Sequence, residues 1–233
     1  MRFDVQGTPL PVLVCHLEAG EEIRTEKNAM SWMSPNMEKQ SSKIVEPEAP
    51  KKKLPKGLPK GLPKLARKPY STYIAKDTEG MIAMAASFPG EILVLDVTDE
   101  PIIAQKHAFL ACEATVERTD FLNKKLGAGL FGGEGFIMLS FSGTGSAAFR
   151  LEGSVMTYEL EAGQTMIVKT GCLAMMTASC TIEIELRKSK AKVGNKLLVA
   201  ESDFNTTVTG PGKIWLQSMP VYSKSPAPYT PTE

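Results

Sequence analysis

Glycines that recur at nearly constant spacing constrain the fold of this 233-residue chain more than any other feature. One set marks a turn, and its members are 70 and 73 residues apart: Gly20, Gly90 and Gly163. A second set stands directly before an apolar run, and its members are 65 and 67 residues apart: Gly80, Gly145 and Gly212. Two markers in the same order indicate internal repetition with a period of about 70 residues. The chain is therefore predicted to hold three similar units, each too small to be comfortably stable alone.

The residues between these markers are typical of β-strands. Short apolar runs bounded by glycine or proline turns recur throughout, and residues 181–186 alternate polar and apolar side chains with the period of a half-buried strand. A short cassette of small and apolar residues also recurs, beginning at Asn28, His107 and Gly171. We expect one exception at Asp120–Leu126, where a cap at Thr119 or Asp120 and Gly127 at the end predict one or two helical turns. The pattern otherwise predicts an all-β chain of sandwich-like units.

The repeats predict three domains. These are a first β unit at residues 1–85, a second at 86–152 that contains a glycine-rich loop at 126–136, and a third at 153–220. Residues 221–233 form a proline-containing tail that we expect to be frayed. The first unit is interrupted at residues 39–69 by a polar excursion. Within it, Pro55, Pro59 and Pro63 stand at every fourth position, which removes backbone donors and forbids a regular helix or central strand, so we expect an extended, mobile segment.

Charge is nearly balanced overall but unevenly distributed. The chain has 27 Lys+Arg against 26 Asp+Glu, a formal net charge of +1. Residues 51–68 hold eight of the basic residues and no acidic one, which leaves the rest of the chain at −7. The eight candidate polyanion-contacting residues are Lys51, Lys52, Lys53, Lys56, Lys60, Lys64, Arg67 and Lys68. This basic arm could bind RNA or an anionic membrane surface, or it could lie as a solvated loop against the protein's own acidic surface.

Residues suited to catalysis are sparse, so we predict that the protein is not an enzyme and carries no cofactor or metal. His16 lies in an apolar strand without a partner ligand at metal-like spacing, and His107 falls in a repeated turn cassette. Glu183 and Glu185 share one strand face that we expect to be solvated. Asp96, Asp99 and Glu100 crowd one turn, but nothing else in the sequence supports a cation site there. The GxGxxG match at residues 127–132 lacks the strand–loop–helix context of a dinucleotide site, which favours a structural role.

Cysteine usage and hydropathy predict a cytoplasmic protein without a transmembrane segment. The four cysteines form no CxxC pair and lie mostly in apolar runs, which is typical of reduced, buried thiols. The longest uncharged run, residues 135–149, is shorter than the roughly 20 residues that a spanning helix needs. The first residues also lack the apolar core of a secretion signal.

The glycine-rich stretch at residues 126–136 resembles the hallmark of the altered-inheritance-of-mitochondria, or mitochondrial biogenesis, family in its bacterial form. Residues 88–91, 109–111, 142–145, 160–163 and 209–218 support the resemblance, which covers about residues 1–38 and 70–220. The resemblance implies a triplicated fold like that of the tryptophan RNA-binding attenuator protein (TRAP), with double-stranded β-helix type sandwiches. It also implies a homotrimeric ring of pseudo-ninefold symmetry. The chain departs from the family pattern at residues 51–68 and 193–196.

Together these observations favour a non-enzymatic homotrimeric β-ring that acts as a scaffold or interaction protein. The residues expected to shape the glycine loop and a packing surface are Gly127, Gly129, Leu130, Phe131, Gly132, Gly133, Gly135 and Phe136. The alternative is binding of RNA or another polyanion through the basic arm. A weaker alternative is a small-ligand or membrane-associated role.

Overall fold

The computed structural model describes the backbone of residues 1–40, 70–124, 136–193 and 196–219. It also describes their side chains, except those of residues 123–124, 186–193 and 196–204. The described chain is β throughout, apart from two single-turn 3-10 helices at Lys106–Ala108 and Thr170–Cys172. An N-terminal strand, β1 (Arg2–Gln6), precedes three sets of six strands.

The strands of each set follow one another along the chain. The first set comprises β2 (Val12–Leu17), β3 (Glu22–Thr25), β4 (Trp32–Met33), β5 (Met37–Gln40), β6 (Ser71–Ala75) and β7 (Gly80–Ala85). The second set comprises β8 (Gly90–Asp96), β9 (Ile102–Gln105), β10 (Phe109–Glu113), β11 (Val116–Lys124), β12 (Phe136–Gly143) and β13 (Ser146–Glu152). The third set comprises β14 (Val155–Leu160), β15 (Thr165–Lys169), β16 (Leu173–Thr177), β17 (Thr181–Val193), β18 (Lys196–Thr209) and β19 (Gly212–Gln217).

The same antiparallel pairing occurs in every set. The sixth strand lies between the first and the third, as in β2–β7–β4, β8–β13–β10 and β14–β19–β16. The fifth strand lies between the second and the fourth, as in β3–β6–β5, β9–β12–β11 and β15–β18–β17. Each set therefore consists of two three-stranded halves.

Neighbouring sets share their sheets. The second strand of the first set pairs with the third strand of the second set (β3–β10), and β9 pairs with β16 in the same way. The resulting strand orders are β1-β2-β7-β4, β5-β6-β3-β10-β13-β8, β11-β12-β9-β16-β19-β14 and β15-β18-β17. Because each six-stranded sheet draws three strands from each of two sets, successive sets are joined by backbone hydrogen bonds as well as by packing.

Alternating apolar side chains build three buried clusters between the sheets. In the middle cluster the rings of Phe109 and Phe141 stack with centroids 5.0 Å apart, and Phe149 meets Phe141 edge-on at 5.1 Å. Met175 and Trp215 of the third set belong to this same cluster. The second and third sets therefore share a core as well as a sheet.

The structure corrects two expectations. Residues 120–124, predicted as the start of a helical turn, belong to strand β11, which pairs with β12 over Val116–Lys124 with a register shift between Asp120 and Leu122. Long-range pairing here overrides the local capping signal. Gly90 is the first residue of β8, whereas Gly20 and Gly163 lie in turns that follow β2 and β14. The first glycine marker was therefore misassigned in the second unit.

The second glycine marker occupies equivalent places in all three sets. Gly80, Gly145 and Gly212 each lie at or just before the start of the sixth strand. Gly145 and Gly212 have φ of 124° and 141°, a region that residues with a Cβ rarely adopt. A Cβ on Gly212 would lie 2.4 Å from Thr177 Oγ1. Glycine is required where the chain turns between the two halves of these sets.

Candidate functional site

Most of the residues predicted to carry function lie outside the described part of the chain. This holds for the basic arm, residues 51–68, and for Gly127, Gly129, Leu130, Phe131, Gly132, Gly133 and Gly135. Phe136 is described as the first residue of β12. It is buried in the cluster that also holds Met138 and Leu173, so its ring belongs to the core.

Two strands lack a neighbour that the corresponding strands of the other sets have. The third strands β10 and β16 pair with the second strand of the preceding set, but β4, the third strand of the first set, ends its sheet. The second strands β3 and β9 pair with the third strand of the following set, but β15, the second strand of the last set, also ends its sheet. Within the described ranges, the chain thus leaves one complementary edge at each end of the series.

The two junctions inside the chain have the same register. Ala111 lies opposite Thr25 at the first junction, and Met175 lies opposite Ala104 at the second. On its other side, each of Ala111 and Met175 pairs with the sixth strand of its own set, at the residue three places after the marker glycine. Trp32 of β4 pairs with the sixth strand of the first set at the same place. Thr25 and Ala104 each precede the first residue of the repeated cassette by three, as does Val168 of β15. Trp32 and Val168 therefore correspond, at the two open edges, to residues that pair with a neighbouring set within the chain.

Large apolar side chains are exposed at both edges. Trp32 on β4 is 48% exposed and Ile167 on β15 is 65% exposed. Ile103 occupies the position on β9 that Ile167 occupies on β15, yet it is 1% exposed, because it packs against Leu173 and Met176 of the following set. Among the residues that the structure describes, no strand set follows the third to cover Ile167.

The first strand of the third set is uncovered in the same way. Met156 and Tyr158 on β14 are 55% and 40% exposed. Their counterparts on β8, Leu93 and Leu95, pack against the cluster that includes Trp215 of the following set. Strand pairing supports this equivalence, because β8 and β14 pair with β13 and β19 in the same register relative to the marker glycines. Sequence reasoning missed these residues, since a strand pattern does not reveal which strand lacks a neighbour.

Polar side chains link the first and second sets across the first junction. Arg24 of β3 donates a hydrogen bond to the carbonyl of Val116 at 3.0 Å, and Arg150 pairs with Glu26 at 2.8 Å. Burial raises the pKa of Glu26, although Arg150 opposes that shift. These contacts cross from the first set to the second and stabilise the junction.

Neither histidine lies in a metal-binding group, and no group of three or more His, Cys, Asp or Glu among the described residues could hold a metal ion. His16 Nδ1 lies 3.8 Å from Glu79 Oε1, and His107 is an exposed residue of a 3-10 turn. Burial raises the pKa of the Cys112 thiol to about 12 and that of Cys15 further still. A thiol with so high a pKa is a poor nucleophile at neutral pH.

Charged residues of the turns are unevenly distributed between the two ends of the strands. Short connections hold the ends of paired halves together, so the turns after the first, third and fifth strands of every set lie at one end of the molecule. We call this the acidic end, because these turns carry seven acidic residues and, as their one basic residue, Lys76. The acidic residues are Glu18, Glu21, Asp77, Glu79, Asp99, Glu100 and Glu161. Gln40 and Tyr70, which flank the segment with the basic arm, lie at the opposite end.

Among the described residues there is no helix long and apolar enough to cross a membrane.

Comparison with known proteins places this chain within a recognised family. The model of the family described as mitochondrial biogenesis AIM24 matches residues 3–219, nearly the whole chain. An uncharacterised protein of Streptococcus pyogenes is 24% identical over 151 residues, which cover 64% of this chain and 58% of the relative's length. The chain thus matches little more than half of that relative.

A solved structure resembles the whole fold. The X-ray crystal structure of protein SPYM3_0169 from Streptococcus pyogenes superposes with a TM-score of 0.70 at 19% identity, covering 94% of each chain. At this identity the likeness concerns the fold alone.

Proposed function

Because the chain belongs to the mitochondrial biogenesis AIM24 family, we propose that it is a non-enzymatic scaffold in which the three strand sets are TRAP-like repeats and three copies close into a ring. The observation that carries the proposal is the complementarity of the unpaired edges of β4 and β15. Such head-to-tail contacts either close into a ring or continue as a filament. Three copies of three repeats would give the pseudo-ninefold ring that the family resemblance implies.

The internal junctions specify how two copies would meet. Pairing β15 of one copy with β4 of the next in the register of β9–β16 sets Trp32 opposite Val168 and Met33 opposite Ile167. The contact would join the three-stranded sheet of one copy to the four-stranded sheet of the next. It would also cover Ile167 and Tyr158, as the following set covers Ile103 and Leu95 within the chain. Exposed apolar strands that lack a partner are otherwise aggregation-prone, which gives the ring a physical advantage.

A cysteine pair tests both the assembly and its register. Directly opposed residues of antiparallel strands have Cα atoms about 4.5–5.5 Å apart, within the range of a disulfide. The double variant Met33→Cys with Ile167→Cys, made in a Cys172→Ser background, should form intermolecular disulfides up to a three-chain product. Met33→Cys with Lys169→Cys is the matched control, two residues out of register. Equal crosslinking of the two pairs, or none in the first, would refute the register.

Light scattering tests the number of copies independently of register. Three chains of 25.3 kDa would give about 76 kDa. A stable monomer at micromolar concentration, or a mass that rises without limit as in a filament, would remove the ring from the proposal.

A second candidate function, polyanion binding through the basic arm, is favoured by the charge separation. The arm belongs to a segment whose flanking residues lie opposite the acidic end, so attraction to a polyanion would not be cancelled by the acidic turns. Deleting residues 51–68 should reduce RNA affinity and flatten its dependence on salt. Absence of RNA binding by the intact protein at low salt would end this candidate. Flotation with anionic vesicles tests the weaker membrane alternative.

A further inference from the structure

A small cavity opens at the acidic end, at the junction of the second and third sets. Its volume is about 320 Å³, near the lower limit of the roughly 300–1,000 Å³ typical of ligand pockets. Leu95, Ile102 and Trp215 provide apolar lining. The charged and polar residues that line it are Asp96, Glu100, Glu159, Thr177 and Lys213. Three carboxylates against one ammonium make the cavity suitable for an organic cation rather than an anion.

Hydrogen bonds hold two of the three carboxylates in place. Glu100 Oε1 accepts a hydrogen bond from the Ser179 amide at 3.3 Å, and Asp96 Oδ1 accepts one from the Thr98 amide at 2.7 Å. The hydrogen bonds from Thr98 lower the pKa of Asp96, so that this carboxylate is charged at neutral pH. None of the three carboxylates forms an ion pair with Lys213.

The equivalent place at the first junction holds an ammonium group. Glu21 precedes Ile23 by two residues, as Glu100 precedes Ile102, and these isoleucines occupy matching positions in β3–β10 and β9–β16. Glu21 Oε1 binds the amino group of Met1 at 2.8 Å. The Met1 side chain is 4% exposed and packs against the core of the first junction. At the first junction, an ammonium group with a short apolar chain thus lies against a carboxylate whose position matches that of Glu100.

We propose that the cavity at the second junction is a binding site for a primary ammonium group that carries a short apolar chain, held by Glu100 as Glu21 holds Met1. The ammonium binds the carboxylates of Glu100, Asp96 and Glu159, and the chain packs against Leu95, Ile102 and Trp215. Two sources share this chemistry: a free alkylamine-like molecule and the amino terminus of a peptide. The site lies within one chain and does not depend on ring assembly.

Isothermal titration with methionine amide tests the site, and N-acetylmethionine amide, which lacks the ammonium, is the matched control ligand. For a ligand of this size we expect a dissociation constant on the order of 1 mM for the amine and no measurable binding of the acetylated form. Glu100→Gln should weaken binding about five-fold, as expected for a partly exposed ion pair. Glu117→Gln, an exposed carboxylate on β11, should leave binding unchanged.

Further ligands distinguish the two sources. A Met-Ala-Ala peptide with an amidated carboxyl end that binds more tightly than methionine amide would identify a peptide terminus. Equal or weaker binding would identify a small amine. Equal binding of methionine amide and its acetylated form, no binding at about 20 mM, or an unchanged affinity in Glu100→Gln would each overturn the site. None of these results bears on the mass of the assembly.

Discussion

Replacing Ile167 by aspartate should dissociate the proposed ring while leaving the fold of each chain intact. Ile167 is 65% exposed on β15, so a polar side chain is tolerated there in a single chain. Its counterpart Ile103 is 1% exposed where a following set is present. The difference between these two exposed fractions measures how much side-chain surface Ile167 would bury when the first set of another copy covers it.

The size of the effect follows from that difference. Complete burial of an isoleucine side chain stabilises by about 1.5–3 kcal/mol, so burying the exposed two thirds contributes about 1–2 kcal/mol at each junction. A closed ring of three copies has three junctions, which together lose about 3–6 kcal/mol. The association constant should therefore fall by roughly 10²- to 10⁴-fold. Desolvation of the new carboxylate opposite Met33 adds to this loss.

Sedimentation velocity over a range of protein concentrations measures the change. The unaltered protein should sediment as the trimer, and Ile167→Asp should sediment as the 25.3 kDa monomer at concentrations where the trimer persists. Phe121→Asp is the matched control, because Phe121 is 45% exposed on β11, away from both edges. If Ile167→Asp keeps its assembly, or if Phe121→Asp loses it equally, β15 is not the contact.

Three further predictions follow from the core, a glycine and the thiols. Phe141→Ala should cost about 3–5 kcal/mol in urea unfolding, because Phe141 contacts both Phe109 and Phe149; a loss under about 1 kcal/mol would contradict the packing. Gly212→Ala should cost about 1–3 kcal/mol in the same measurement, since φ is 141° and the new Cβ would strike Thr177; Gly20→Ala, with open space around its Cβ, should cost less. Iodoacetamide at pH 8 should label Cys172 of monomeric Ile167→Asp before Cys112, whose pKa of about 12 leaves about one thiolate in ten thousand; mass spectrometry showing Cys112 labelled first would refute this.

The sequence predicted the all-β architecture because turns and strand periodicity are local properties. Gly145 and Gly212 were recognisable since a positive φ selects glycine at those turns. The sequence does not distinguish Gly90 from the glycines of the other turns, because Pro89-Gly90 is itself typical of a turn. In the structure Gly90 is the first residue of a strand, whereas the other two marker glycines follow a strand. The helical turn expected at residue 120 failed for a different reason, since pairing of β11 with the distant β12 outweighs a cap and a terminal glycine.

The candidate site was beyond prediction from sequence because exposure at a strand edge is decided by what lies beside the strand. Ile103 and Ile167 are the same residue type at matching positions, and no local pattern separates them. They differ in that β16 pairs with β9, whereas no strand in the described part of the chain lies beside β15 on that side. The cavity at Glu100 poses the same difficulty, since its lining comes from β8, β9, β14, β16, β19 and the turn before β9. The near-neutral net charge likewise does not reveal the acidic end, because only the strand arrangement shows which turns lie on the same side of the molecule. Distinctive chemistry therefore lies where matching positions of the three strand sets diverge, as Ile103 and Ile167 do with exposed fractions of 1% and 65%.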